Sequence, residues 1–312
     1  PLPAPTVGQL KSRTRGKFVR PSARFMAKLP YSSLEQTVMS HGWIQLTPFE
    51  WDGQKKTLRR REIVGRRLAT LAISQKGGRT TCCCYSRSPL PESAKRELRQ
   101  RFLYMIGHEI QLESFLNLAK RLDPQVHLFA KRGGARFLRG TSLFEDAAKT
   151  LFTTNASWQF TRQMCLRLTA ETNPRANPTP CAMPFPTATH VDAMSVAVLE
   201  KDCRLGYRGA YLKNIARKFV ECRSFADWGV DDILACLSEV KGVGEYSINH
   251  LGMLLGKWHR IPVDSEVRSY VREAGRADDT ESIHAHYAQW HPYEFLAYKL
   301  ERRLLKQNWI GD

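Results

Sequence analysis

The sequence predicts an α+β protein, predominantly α-helical, in which a small domain with an antiparallel β-sheet precedes a helical core. Three observations lead there. The stretch Arg61–Ser86 is rich in β-branched and apolar residues on both sides of Lys76-Gly77-Gly78-Arg79, a pattern that reads as two strands joined by a tight turn. From residue 140 onward, apolar residues recur at helical spacing in one segment after another. The pair Gly133-Gly134 separates the two regimes.

Taken in order, residues 1–24 are rich in proline and basic residues and poor in apolar periodicity, which predicts a flexible basic tail. An α/β domain is expected over 25–135. Within it, residues 32–42 suit a short helix, and 91–107 suit an amphipathic helix opened by Pro91. The helical core is expected over 136–312. Its first helices flank an interruption at Thr153-Thr154-Asn155, and the proline-rich stretch 174–186 reads as a surface loop. Short helices are expected over 187–201, 208–222, 230–239, 245–256, 265–274, 280–289 and 293–307, with no internal repeat.

Charge narrows the function. The 312 residues carry 48 Lys and Arg against 30 Asp and Glu, a net +18 spread along the chain rather than gathered in one tail. Such a surface binds a polyanion through counterion release, so nucleic acid is the first reading and a merely basic surface the second. Eight cysteines show no CxxC pair and no zinc or iron–sulfur spacing. They read as reduced thiols, with Cys82, Cys83 and Cys84 alternating across a strand. No stretch has membrane-spanning length and no secretory pattern is present, so a bacterial nucleoid or a nucleus is the expected location.

The most specific signal lies at 237–264. In Leu237-Ser-Glu-Val-Lys-Gly-Val-Gly-Glu-Tyr-Ser-Ile-Asn-His, one helix should end at the first glycine and the next begin after the second. Glycine tolerates the positive φ of such a turn, and bare backbone lets N–H groups meet a phosphate at the positive end of the following helix. Most helix hairpins use glycine for geometry alone, so the turn needs its neighbours to become informative. About twenty residues on comes Pro262-Val263-Asp264.

Together these residues resemble the helix-hairpin-helix signature and aspartate of the HhH-GPD superfamily of DNA glycosylases. Other segments are similar in the same order. Thr154-Asn155 resembles the segment carrying the duplex-inserted residue, Leu205-Gly206-Tyr207-Arg208-Gly209-Ala210-Tyr211 resembles a segment of the 8-oxoguanine glycosylases, and Trp290-His291-Pro292-Tyr293 resembles the segment before the last core helix. The likeness spans about 140–305 and is nearest to the alkyl-purine (3-methyladenine) and 8-oxoguanine branches.

The resemblance implies that Asp264 stabilises the positive sugar formed as an N-glycosidic bond breaks, although an aspartate there also suits a helix N-cap. It implies that Lys241, Gly242, Val243, Gly244 and Ser247 hold DNA phosphates, that Asn155 fills the gap left by a flipped nucleotide, and that Tyr207 and Arg208 meet the partner strand. The base pocket would draw on Trp158, Tyr246, His250, Glu266 and Tyr298. Trp158 equally suits the core, Glu266 a helix first turn, and Arg208 a plain surface charge. Bifunctional relatives carry a lysine where this chain has Tyr246, which implies a monofunctional enzyme acting through water on a damaged base in double-stranded DNA. Alkylated, cationic purines are the first expectation, with 8-oxoguanine or T/U:G mismatches, or a non-catalytic reader of damaged DNA, as alternatives. The chemistry calls for no metal or cofactor, and a monomer is expected.

Overall fold

A computed structural model describes residues 20–172 and 183–307. The chain opens with β1 (Ala23–Lys28), so the last residues of the expected tail belong to a sheet; residues 1–19, and most of the proline-rich loop, lie outside the described residues. Then follow α1 (Leu34–Val38), β2 (Glu50–Asp52), β3 (Thr57–Val64), β4 (Arg67–Lys76) and β5 (Arg79–Ser86). All neighbours are antiparallel in the order β1-β5-β4-β3-β2.

The sheet corrects one expectation. The run read as a single strand ahead of Lys76 is two strands, because Gly65-Arg66 is itself a two-residue turn with Val64 opposite Arg67 and Gly65 at φ +57°. The second turn is as expected, with Lys76 opposite Arg79 and both Gly77 (φ +56°) and Gly78 (φ +70°) left-handed. Residues on β3 alternate between the core and the other face, burying Leu58, Arg60, Glu62 and Val64. The thiols behave likewise: Cys82 and Cys84 are buried while Cys83 is only partly so.

Helix α2 (Glu92–Met105) lays Ala94, Leu98, Phe102 and Met105 against the buried sheet face, and these form one apolar cluster with Leu58, Leu71 and Ile73. A second, larger cluster unites α3 (Glu113–Leu122), α4 (Pro124–Phe129), α5 (Leu143–Thr153), α6 (Trp158–Glu171), α7 (Ala188–Ala193), α8 (Arg208–Glu221), α9 (Val230–Ser238), α10 (Glu245–Leu255), α11 (Ser265–Glu273), α12 (Thr280–Tyr287) and α13 (Glu294–Gln307). The packing therefore does not follow the expected boundary at 135. Helices α3 and α4 belong to the helical cluster, and so do Trp43 and Leu46, carried across from the connection between α1 and β2. The single helix expected over 187–201 is also interrupted: α7 ends at Met194, whose extended backbone (ψ 148°) precedes a π-type turn at Val198–Asp202.

Helix α5 joins the two halves by charge as well as by packing. Arg60 from β3 donates both terminal nitrogens to Glu145 on α5, at 3.1 and 2.9 Å, and its Nε to Glu62 at 2.6 Å. Lys149 donates to the same Glu145 at 2.6 Å, and Arg60, Glu145 and Lys149 are all essentially without solvent exposure. Burial alone would raise the Glu145 carboxyl, but Arg60 and Lys149 outweigh it and hold the group down at about 2. The adjacent Asp146 accepts from Tyr104 Oη on α2 and from the Gly140 amide, both at 2.6 Å. Here burial wins, helped by the Glu145 charge, and the Asp146 carboxyl is pushed up to about 7.

That contrast has a measurable sign. Asp146 keeps its proton in the folded state at pH values where the unfolded chain has lost it, so its contribution is complete below about pH 4 and is lost as pH rises through about 7. Substituting Asn keeps the shape and removes the titration. Thermal melting from about pH 5 to about pH 8 should show Asp146→Asn gaining on the wild type as pH rises, and a constant difference would mean that Asp146 does not titrate in this window.

Candidate active site

Helices α9 and α10 meet in the turn predicted from sequence. Val243 N–H donates to the Val240 carbonyl at 2.9 Å, and Gly242 sits at φ +102°. A Cβ at Gly242 would lie 2.3 Å from Tyr211 Cγ, so the left-handed backbone and the approach of α8 both require glycine. Gly244 differs. It is the N-cap of α10, no side chain caps that helix, and a Cβ placed there would meet nothing. The first-turn N–H groups of α10 thus face open space at a helix N-terminus, the arrangement that receives an anion. Lys241 is exposed beside them, whereas the Val243 side chain packs on the helical core and leaves only its backbone to the surface.

A groove of about 820 Å³ runs from this turn past Tyr207 and Tyr211 to Thr154-Asn155, with Tyr246, Ser247 and Asp264 along its floor. Asn155 is exposed at φ +47°, a conformation asparagine tolerates better than most residues. Arg208 does not line the groove. It is buried, with its guanidinium donating to the Thr154 and Asn155 carbonyls, the latter at 3.0 Å. The expected contact with a partner strand is therefore corrected: Arg208 fixes the backbone of the Asn155 turn, and its neighbour Tyr207, 52% exposed, is the residue free to reach outward.

Asp264 stands where the groove meets a second cavity of about 390 Å³. It is the N-cap of α11, as the alternative reading of its role anticipated, with Oδ1 accepting from the Val267 amide at 2.8 Å. Oδ2 makes no hydrogen bond among the described residues, so one oxygen fixes the carboxylate and the other is left for chemistry.

The cavity wall is aromatic. Tyr246 stacks on His250 (6.1 Å, 26°), and His250 stacks on Trp43 (5.8 Å, 29°), while Trp158 packs across Gly42 and donates Nε1 to Gln45 at 2.9 Å. Burial, with Lys299 nearby, pushes the His250 imidazole down to about 3, and His41 is likewise driven well down, so both rings are neutral. Glu266 also lines the cavity, paired with Arg302 and, at 3.5 Å, with Lys299. Burial alone would raise its carboxyl, but Lys299 and Arg302 hold it below the usual range. Tyr298 does not belong here. It is fully buried among Phe295, Tyr270 and Tyr287, on the core side of α13, which corrects its assignment to the pocket.

Sequence reasoning missed His41, Trp43 and Lys299. The first two lie some two hundred residues before the hairpin in a short 3₁₀ connection with no periodicity to mark it. Lys299 follows the misassigned Tyr298 by one position, and on a helix that single step turns a side chain by about 100° from the core to the cavity. Arg208 supplies a test of the corrected assignment. Arg208→Met should cost about 1–3 kcal/mol of folding stability by orphaning two carbonyls and should weaken abasic-DNA binding with it. Unchanged melting with weakened binding would restore the direct DNA contact.

No family model matches the chain, and no curated protein matches it in sequence. Solved structures do match. The chain is similar to the 3-methyladenine DNA-glycosylase from Archaeoglobus fulgidus, with a TM-score of 0.65 and 18% identity over 90% of this chain and 99% of that one. It is also similar to the Clostridium acetobutylicum 8-oxoguanine glycosylase/lyase in complex with double-stranded DNA containing cytosine opposite 8-oxoguanine, with a TM-score of 0.62 and 13% identity over 93% and 100% of the two chains. At these identities the likeness is one of fold: over 90% or more of its length the chain has the fold of DNA glycosylases.

Proposed function

We propose that this protein is a monofunctional DNA N-glycosylase that removes a damaged purine, alkylated purines foremost, from double-stranded DNA. The observation that carries the reading is the position of Asp264 at the junction between an open groove ending in a bare helix N-terminus and an aromatic-walled cavity. DNA phosphates bind at Lys241, Gly242, Gly244 and Ser247, where backbone N–H groups and the helix dipole meet them. The target nucleotide leaves the stack, Asn155 enters the gap, and Tyr207 lies against the opposite strand. A glycosylase solved with double-stranded DNA shares this fold, which supports the same choice of partner here.

In the cavity the base lies against Tyr246 and Trp158, with His250 and Trp43 stacked behind the tyrosine. As the C1′–N bond breaks, its electron pair leaves with the base and positive charge develops on the sugar. Asp264 Oδ2 stabilises that charge and accepts a proton from the water that attacks C1′, leaving free base and an intact strand with an abasic site. The position that carries a nucleophilic lysine in bifunctional relatives is Tyr246, so water is the nucleophile.

Asp264→Asn keeps an N-cap, since asparagine caps helices as well as aspartate, and should leave melting nearly unchanged. Single-turnover release of base should nevertheless fall by about a thousandfold or more. Borohydride should trap no enzyme–DNA adduct with the wild type. An adduct lost on substituting Lys299, the lysine among the described cavity residues, would overturn the monofunctional reading.

A further inference from the structure

We infer that the base cavity selects an uncharged purine whose outer edge carries a hydrogen-bond acceptor, and that Lys299 is the residue that reads it. This rests on the proposed glycosylase activity and narrows its substrate. The argument starts from the charges on the cavity wall. Lys299, Arg302 and Arg303 line it, against the carboxylates of Asp264 and Glu266. Arg303 is engaged elsewhere, donating to the Gly134 carbonyl and to Gln36. Glu266 is shared by Arg302 and Lys299, and Asp264 is fixed at the sugar end by the α11 amide. No carboxylate remains to balance a positively charged base.

Lys299 is the group with unused capacity. Its side chain is 13% exposed, and the acceptor it faces among the described residues is Glu266, at a long 3.5 Å that engages one of its N–H groups. The ammonium also lies 5.3 Å from the centre of the Phe295 ring, which holds it at the cavity wall. An ammonium has three donors, so an incoming carbonyl oxygen or ring nitrogen would satisfy one of them. A cationic purine would instead bring a second positive charge into a partly dehydrated site.

The chemistry of departure points the same way. A cationic N-alkylpurine takes the bonding pair and leaves neutral, so it needs no help from a donor. A neutral purine leaves with a negative charge, and a fixed cation that donates to it lowers that barrier. Lys299 supplies such a cation on the base side while Asp264 supplies the anion on the sugar side. Etheno-bridged adenine is an alkylated purine that meets both requirements, and hypoxanthine meets them without the alkyl group. This replaces the expectation, drawn from the resemblance, that cationic purines come first.

The test is single-turnover release from duplexes carrying 1,N6-ethenoadenine, hypoxanthine, 7-methylguanine or 3-methyladenine, each compared with its own spontaneous loss. The wild type should accelerate the neutral pair more than the cationic pair. Lys299→Met should lower the ratio of neutral to cationic acceleration by about tenfold to a hundredfold, and Lys299→Arg, which keeps a donor cation, should restore much of it. A wild-type preference for the cationic pair, or an equal loss on all four duplexes in a Lys299→Met protein that melts normally, would overturn the role of Lys299 alone. Should Lys299→Met not fold, the wild-type preference and the Lys299→Arg ratio decide. Release that survives Asp264→Asn, or no release from any duplex, would overturn the glycosylase reading instead.

Discussion

The buried cluster of Arg60, Glu145 and Lys149 is the interaction on which the arrangement of the site depends. It joins the sheet to α5 away from solvent, and the desolvation of three charges is offset because Arg60 and Glu145 are multiply bonded while Lys149 donates to Glu145 and lies over the Trp43, Phe49 and Phe185 rings. Losing any one partner would leave a buried charge uncompensated. Helix α5 consequently cannot slide against the sheet. Its first turn is fixed by Arg60 and Tyr104 through Glu145 and Asp146, and its far end delivers Thr153, Thr154 and Asn155 to the groove, about 12 Å away along the axis. Arg208 then clamps the turn that follows. The small domain thus contributes to the site twice, through this anchored helix and through the connection that inserts His41 and Trp43 into the helical core.

Asp264 occupies a helix terminus where one side chain can serve structure and, in the proposed mechanism, chemistry. An N-cap aspartate needs only one oxygen for the amide it accepts from, so capping consumes half of the carboxylate and orients the rest. Helix α10, a short distance away, leaves its N-terminus uncapped by any side chain. One terminus carries its own anion and the other is open to the anion of the ligand. Under the proposed function, this difference would orient a nucleic acid backbone relative to the carboxylate without any base-specific contact.

Much of this was legible in the sequence, and the boundary of legibility has a physical origin. The geometry of the hairpin and of the Asp264 cap could be read because it is local: glycine at a left-handed φ, a bare N-cap and an aspartate at the next helix start are each set by a few neighbouring residues. The Asn155 turn was legible for the same reason. Burial was not. Arg208 and Tyr298 sit in the right segments, but which way a helical side chain points depends on neighbours far away in sequence, and one is locked under the Asn155 turn while the other faces the core. The turn at Gly65-Arg66 was missed because arginine-rich strands on both sides blurred the alternation that marks strand ends. His41 and Trp43 were invisible because their partner, His250, lies about two hundred positions later.

A net charge of +18 would, if it acted uniformly, oppose a cation forming on a sugar. The resolution is one of distance and dielectric. Exposed lysines and arginines attract phosphate but are screened within about 8 Å at physiological salt. In the proposed mechanism Asp264 acts at contact, in a junction that a bound duplex would cover, where a single fixed charge outweighs many distant ones. The partly buried cations of α13 are the exception, being close and poorly screened, and the proposed mechanism sets them beside the base rather than the sugar. On the proposed mechanism, charge is thereby sorted by position along the scissile bond: positive where electrons arrive, negative where they depart, and positive again at long range where only affinity is at stake.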